Sequence, residues 1–200
     1  SYYNKNTGYA KGMGFIIGIL LTYMEPEYAF FCFDYLMKNY GMENFYAPGF
    51  PKMNNSFYCL LVLMKKYVPG IYALLAKNDI HTSMFAADWF LTLFCRDNNI
   101  RIVGRILDCF FLEGFKVIYK FALAILKVRE QEIIKAEKEG DDIMYIFKNI
   151  FDVKNIDKCL EDVFKIAFSK IKISRKEVRK LENEYDKVKE DPDNEINELI

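Results

Sequence analysis

Proline, glycine and surplus charge are all scarce in this chain of 200 residues. It contains 5 Pro and 10 Gly, and its apolar side chains recur mostly every three or four positions. Few helix-breaking residues, together with that spacing, predict α-helices and argue against a β-sheet. The 28 Lys and Arg balance 28 Asp and Glu. Because phosphate backbones attract proteins through a basic surplus, this balance argues against nucleic acid as the main partner.

Paired cysteines are missing as well. None of the cysteines forms a C-x-x-C pair, their number is odd, and all of them stand in apolar stretches with helical spacing. This pattern predicts buried free thiols in a reducing compartment rather than a disulfide framework. The five cysteines are Cys32, Cys59, Cys95, Cys109 and Cys159.

The sequence also has little that suits catalysis by the chain alone. Its one histidine, His81, has no Cys or carboxylate at a spacing typical of metal ligands. We expect a surface or helix-capping role for His81, and neither a metal site nor a cofactor. No G-x-x-x-x-G-K-[ST] motif is present, so the chain is not expected to be a P-loop NTPase.

No apolar run is long enough to predict a membrane span. The most apolar stretch runs from Met13 to Met24, and Gly14, Gly18 and Thr22 interrupt it. A spanning helix needs about 20 apolar residues, and neither a basic leader nor an A-x-A site precedes this run. We therefore expect a cytoplasmic protein without a signal peptide. The abrupt start at Ser1 leads us to expect a piece of a longer protein.

What the sequence has in abundance is helical periodicity. The hydrophobic content is 52% and the aromatic content 16%, which suits an aromatic-rich core between helices. We predict an all-α array of about 8–10 helices, with a loop over residues 42–52. The predicted helices cover residues of about 9–23, 26–40, 54–67, 72–77, 83–95, 100–112, 115–137 and 142–151.

The last third of the chain carries a separate pattern. Its apolar stripe falls at positions 156, 160, 163, 167, 171, 174, 178, 181, 185 and 188. Steps that alternate between four and three predict a nearly continuous, coiled-coil-like helix with one stutter. Ser174 is the one polar member, and the alternative interpretation is a break in the helix with Ser174 as an N-cap. We predict that the part beyond Ser174 protrudes or pairs, and that Pro192 and the acidic stretch around it end the structure.

Four short motifs follow one another along the chain. The first, GYAKGMGFI at residues 8–16, sets an aromatic and a polar side chain between glycines that permit close backbone approach. The second is EYAFF at 27–31, the third WFLTLF at 89–94, and the fourth RILDCFFLEG at 105–114.

These motifs resemble the Y-x-Q-G-M, E-x-A-F-W, W-F-x-T-L-F and R-x-W-D-x-x-F-x-E-G elements of the TBC (Tre-2/Bub2/Cdc16) domain, in the same order. The resemblance covers residues of about 1–168, with Leu107 at the position of the family's Trp, and leaves 169–200 as a charged helical extension. It implies the downstream half of an all-α domain that accelerates GTP hydrolysis by Rab GTPases in vesicle trafficking. The implied partner is a Rab-type GTPase in its GTP state, and the implied location is peripheral to endomembranes.

The resemblance also implies a mechanism with two side chains supplied in trans. An Arg upstream of Y-x-Q stabilises charge on the transferring phosphoryl group, and the Gln orients the attacking water. In this chain the Arg motif would precede Ser1, and Lys11 stands at the Gln position. Because Lys has three donors and no acceptor, it cannot accept a hydrogen bond from the water. We therefore expect impaired catalysis, with Tyr9, Lys11 and Gly12 as candidate GTPase contacts.

Five further motif residues have structural interpretations. Trp89 and Phe94 are expected in the core because they share the helical spacing of the apolar residues around them. Arg105 and Asp108 stand three apart, which predicts an ion pair or a capping contact on one helix face. Glu113 is expected to cap the helix that opens after Gly114.

Two alternatives to an impaired GTPase activator remain open. One is an active GTPase activator whose upstream half lies outside this chain and in which Lys11 is tolerated. The other is a scaffold that binds a partner through its C-terminal amphipathic helix. Without the upstream half, we also expect exposed apolar surface on the first helix around Phe15, Ile16 and Ile19, and hence self-association.

Overall fold

The structure is a computed structural model that describes residues 7–96 and 99–189. These residues form eleven helices and no strand, which confirms the all-α prediction and exceeds the expected helix number by one. None of the described helices is long and apolar enough to cross a membrane. The helices are α1 (Met13–Tyr23), α2 (Pro26–Asn39), α3 (Glu43–Tyr46), α4 (Pro51–Tyr67), α5 (Pro69–Lys77), α6 (Ser83–Thr92), α7 (Ile100–Glu113), α8 (Lys116–Glu139), α9 (Ile143–Lys148), α10 (Ile156–Ser169) and α11 (Arg175–Val188).

Local signals set most helix boundaries. Pro26, Pro51 and Pro69 each occupy a first helical position, where the missing N–H costs no hydrogen bond. Gly140 closes α8 in the left-handed conformation, at φ 78°. The first helix begins at Met13 and not near residue 9, because Gly12 at φ 111° lies outside the helical region.

Helix α8 forms the centre of the fold. Every residue from 117 to 126 is buried, as expected of a helix with neighbours on all sides. Helices α4, α5, α7 and α10 pack around it. Its C-terminal half is anchored through the buried Arg129, whose guanidinium donates to the backbone oxygens of Asn149 and Ile150 at 2.9 and 3.0 Å. Glu132 pairs with the same guanidinium at 2.6 Å.

The sequence predicted a loop over residues 42–52, but this segment is only partly a loop. Its residues 43–46 form the single-turn helix α3, in which Phe45 and Tyr46 are buried. The Phe45 ring stacks on Phe115 with centroids 4.8 Å apart and lies 6.3 Å from Phe90. Burial of these aromatic rings against α6 and the start of α8 stabilises a turn that local propensity does not predict.

The C-terminal stripe belongs to two helices rather than to one. The Ser174 hydroxyl accepts a hydrogen bond from the Glu177 N–H at 3.0 Å, so the alternative of a break with an N-cap is confirmed. Helix α10 packs on α8, and α11 packs on α4. Val178 and Leu181 are buried in that contact. The prediction that this part protrudes is therefore wrong, while the predicted end at Pro192 lies outside the described residues.

Ion pairs near both ends of α4 help to hold α11 in place. Lys52 pairs with Glu182, and Lys66 pairs with Glu177 at 2.8 Å. The rings of Tyr58 and Tyr185 also lie 5.4 Å apart. The α11 part of the stripe is thus covered by a helix more than a hundred residues earlier, a partner that the periodicity of the tail alone could not reveal.

Candidate functional site

The first motif folds into a tight turn that leads into α1. Gly8 and Gly12 both have positive φ, at 63° and 111°, a region that side chains with a Cβ rarely adopt. The Met13 N–H donates to the Ala10 oxygen at 3.3 Å, and the Phe15 N–H donates to the Gly12 oxygen at 3.2 Å. These bonds close the turn and define the conformation of residues 8–12, which we call the site loop.

The site loop rests on the C-terminal end of α6. A Cβ added to Gly12 would lie 3.2 Å from the backbone oxygen of Leu91 and 3.5 Å from the Thr92 methyl group. Only glycine therefore allows the backbone to approach α6 this closely. The sequence predicted a close approach at this glycine, but not the surface that it approaches.

Tyr9 and Lys11 lie on the outer side of the site loop. Tyr9 is 73% exposed, and Lys11 is also exposed. The Tyr9 hydroxyl folds back over the first turn of α1, where it would lie 3.3 Å from a Cβ at Gly14. The structure thus brings the three candidate contact residues together, with Gly12 buried beneath two exposed side chains.

A buried tyrosine supports the surface on which the site loop rests. The Tyr46 hydroxyl donates to the Leu91 backbone oxygen at 2.5 Å, the same oxygen that Gly12 approaches. Burial raises the pKa of Tyr46 well above its ordinary value, so the hydroxyl stays a donor at neutral pH. Tyr46 was not predicted as a site residue, because it falls in the segment 42–52, which was expected to be a loop.

The chain reverses sharply just after this surface. Leu93 and Phe94 both adopt left-handed conformations, at φ 49° and 63°, which is uncommon for residues with a Cβ. The Phe94 ring stacks on Trp89 with centroids 5.5 Å apart, and both residues are buried. The prediction that Trp89 and Phe94 belong to the core is confirmed, and their stacking stabilises the reversal that ends α6.

A second set of bonds holds α6 to the segment after it. The Thr92 hydroxyl donates to the Asp88 backbone oxygen at 2.6 Å and accepts from the Arg96 N–H at 3.3 Å. The Arg96 guanidinium pairs with the Asp88 carboxylate at 2.6 Å. The end of α6 is thus fixed on two sides, which makes it a rigid support for the site loop.

The fourth motif lies apart from the site loop, and its charged side chains make contacts that stabilise the packing of helices. The Arg105 guanidinium lies over the Phe164 ring at 4.2 Å, not on the Asp108 carboxylate, which is exposed. Glu113 pairs with Lys116 at 2.8 Å, and this contact lowers the pKa of the Glu113 carboxyl. No side-chain hydrogen bond caps α8 at its N-cap residue, so the capping role expected of Glu113 is replaced by an ion pair.

The five cysteines and the single histidine provide no metal site within the described residues. All five cysteines are free, and burial raises the pKa of the Cys59 and Cys95 thiols to about 12, which keeps both unreactive at neutral pH. The His81 Nε2 lies 3.8 Å from an Asp79 carboxylate oxygen at the surface. No group of three His, Cys, Asp or Glu within the described ranges is placed to hold a metal.

The four motifs, together with the site loop, lie in a part of the chain that matches one protein family. The model of the Rab-GTPase-TBC domain matches residues 1–134. The chain belongs to this family. The predicted resemblance is therefore confirmed, whereas the domain boundary near residue 168 stays a prediction.

Curated relatives extend the similarity over most of the chain. The human ecotropic viral integration site 5 protein homolog is 29% identical over 189 residues, 94% of this chain and 23% of the relative. The Rab GTPase-activating protein eat-17 of Caenorhabditis elegans is 31% identical over 92% of this chain and 20% of its own length. The GTPase-activating protein GYP5 of Saccharomyces cerevisiae is 36% identical over 68% and 15%. The chain spans only about a fifth of such relatives.

Proposed function

We propose that this chain is the downstream part of a Rab GTPase-activating domain whose catalytic step is impaired. Membership of the Rab-GTPase-TBC domain family supports a role in GTPase activation, and two of the relatives carry that activity in their names. The observation that carries the proposal is the exposed Lys11 on a loop whose Gly12 backbone is fixed against α6. The proposed partner is a Rab-type GTPase in its GTP state.

The rigidity of the site loop suits a contact that must be positioned accurately. The Gly12 backbone closely approaches the Leu91 backbone oxygen, and the buried Tyr46 donates a hydrogen bond to the same oxygen. Tyr9 and Lys11 are the side chains that this support presents to a partner. Groups held in place before the reaction cost no reorganisation when the partner docks, which is how supplied side chains accelerate phosphoryl transfer.

The chemistry of Lys11 limits what this loop contributes. Its ammonium can neutralise a phosphate oxygen as a point charge, but it cannot accept a hydrogen bond from the attacking water. The second side chain of the family mechanism, the Arg, would lie before Ser1. Because an arginine finger alone is worth roughly 10³–10⁵ in rate, we do not expect strong acceleration by this chain alone.

The scaffold alternative loses support from the packing of α11. That alternative required a free apolar stripe on the C-terminal helix, but Val178 and Leu181 are buried against α4. The outward face of α11 is charged instead. The alternative of an active GTPase activator that tolerates Lys11 differs from the main proposal only in rate, so a kinetic experiment separates the two.

The experiment compares single-turnover GTP hydrolysis by a panel of Rabs with the full-length protein and its Lys11→Gln variant. We expect the variant to be faster by about 10-fold, or ~1.4 kcal/mol of transition-state stabilisation. GTP-loaded Rab binding should change little, because one side chain seldom sets the affinity of a whole interface. Lys138→Gln, at another exposed lysine, is the matched control.

Two results would contradict the proposal. If the wild-type protein is already as fast as the Lys11→Gln variant, then Lys11 does not occupy the water-orienting position. If neither protein binds any GTP-loaded Rab, the family membership describes the fold alone.

A further inference from the structure

Charge is distributed very unevenly in this chain. Residues 165–180 contain seven basic residues and a single acidic one, Glu177, which gives this stretch a net charge of +6. Because the whole chain is neutral, the other residues together carry six more acidic than basic groups. We call the seven residues the basic segment: Lys165, Lys170, Lys172, Arg175, Lys176, Arg179 and Lys180.

The basic segment lies on the surface and is largely unneutralised. All seven residues are exposed, around the turn between α10 and α11. The Glu177 carboxylate is engaged by Lys66 of α4 at 2.8 Å. In the part of the chain that the structure describes, only Lys180 has a carboxylate within ion-pair distance, that of Glu184 at 3.5 Å. Local ion pairing therefore leaves a strong positive field at this surface.

The basic segment continues into the junction of α7 and α8. The Arg175 guanidinium donates to the backbone oxygens of Leu112 and Glu113 at 3.5 and 3.3 Å. Next to them, the Lys120 ammonium lies 3.8 Å from the Glu113 carboxylate and 4.9 Å from the centre of the Phe168 ring. Contacts thus connect α7, α8, α10 and α11 into one surface.

Two apolar side chains project from this surface. Leu112 is 80% exposed at the end of α7, and Phe168 is 43% exposed at the end of α10. Each lies beside a cation, since Arg175 contacts the Leu112 backbone and Lys120 lies over the Phe168 ring. A soluble polyanion would satisfy the cations alone, whereas a membrane also offers an apolar layer just below its charged headgroups.

We propose that the basic segment, with Leu112 and Phe168, docks on an anionic lipid membrane. Headgroup phosphates and carboxylates attract the Lys and Arg side chains, and the two apolar side chains enter the boundary between headgroups and acyl chains. No residue of the site loop takes part, so this docking is independent of the proposed GTPase activation.

The test measures sedimentation of the protein with vesicles of phosphatidylcholine, with and without about one third phosphatidylserine. We expect binding only with the anionic lipid, and weaker binding as the salt concentration rises. The Lys172→Glu, Lys176→Glu, Arg179→Glu triple variant should lose affinity at least tenfold. The matched triple variant Lys138→Glu, Lys154→Glu, Lys158→Glu changes the net charge equally at exposed lysines elsewhere and should lose less than twofold.

A second variant separates a membrane from a soluble polyanion. Leu112→Ser removes an exposed apolar side chain without changing charge, so it should weaken vesicle binding while leaving binding to heparin unchanged. The proposal is overturned if wild-type protein does not sediment with anionic vesicles, or if the two triple variants lose affinity equally. It is also overturned if Leu112→Ser has no effect on vesicles, because the surface would then recognise an acidic macromolecule instead. Circular dichroism checks that each variant is folded.

Discussion

Helices at the two ends of the chain expose their apolar side chains to an extent opposite to what their compositions suggest. Helix α1 is almost entirely apolar, yet it leaves Phe15, Leu21 and Tyr23 exposed. Helix α11 is mostly charged, yet the few apolar residues of its stripe are buried or packed on α4. Apolar content alone therefore does not decide burial in this fold. A narrow stripe is covered when a neighbouring helix offers a matching face.

The same difference corrects the expectation for the first helix. Phe15 is 39% exposed as predicted, but Ile16 is fully buried and Ile19 is half-buried. The larger exposed aromatic surface lies instead on α2. We call it the α2 aromatic face, and it comprises Tyr28, Phe30, Phe31 and Tyr35. Self-association through such a surface stays a prediction.

The largest expected effect concerns helix α11, which is packed on α4. Leu181→Lys with Tyr185→Lys places two charges against α4, where Leu181 is buried and the Tyr185 ring contacts Tyr58. We expect a loss of about 4 kcal/mol in the free energy of unfolding, from lost apolar burial and from burying charge. Chemical denaturation measures it, with Leu112→Lys at an 80% exposed position as the control. An unchanged denaturation midpoint would mean that α11 is not docked.

The features that could be predicted from the sequence are those set by local signals and not by contacts with distant residues. Helices α2, α4 and α7 were predicted to within a few residues, because their apolar periods, and Pro26 at the start of α2, are local signals. Pro51 was interpreted as part of a loop, although it begins α4. The single turn α3 was missed, since it depends on aromatic rings more than forty residues later. The docking of α11 was missed because its partner α4 lies far away in the chain. Local sequence patterns determine where helices form, whereas contacts between distant residues determine how those helices pack.

The candidate site shows this division on a smaller scale. The glycines of the first motif predicted a close backbone approach around Lys11, and the structure has one at Gly12. The sequence could not show that the approached group is the Leu91 oxygen, or that Tyr46 holds that oxygen in place. A hydroxyl that contacts the backbone of a distant helix leaves no periodic signal.

The second effect sharpens the comparison within the N-terminal region. Gly12→Ala forces a Cβ into a strained φ of 111° and against the Leu91 backbone oxygen. We expect a cost of about 2 kcal/mol. At Gly104 the added Cβ meets the hydroxyl end of the exposed Tyr23 side chain, which has room to shift, and alanine also favours the helix. Thermal unfolding of both variants should show the smaller change for Gly104→Ala, and equal losses would contradict a rigid site loop.

The third expected effect concerns the exposed α2 aromatic face. Replacing Tyr28, Phe31 and Tyr35 with Ser removes three exposed rings from the α2 aromatic face. Because apolar patches of a few hundred Å² tend to attract a partner, we expect self-association of this chain to weaken by about tenfold. Sedimentation equilibrium measures it, and stability should change by less than about 1 kcal/mol. A wild-type chain that is monomeric throughout the concentration range would contradict the prediction.

The smallest expected effect is electrostatic and concerns the ion pair between Glu113 and Lys116, at the junction of α7 and α8. Lys116 lowers the pKa of Glu113, so the folded state prefers the carboxylate. That stability is present above the ordinary glutamate pKa of about 4.3 and is lost as pH falls through the lowered folded-state value. Since the pair is partly exposed, Lys116→Met should cost only about 0.5 kcal/mol at neutral pH, and less on acidification. In a Glu113→Gln background the cost should not depend on pH. A cost that grows on acidification would mean that Glu113 does not favour its charged form in the fold.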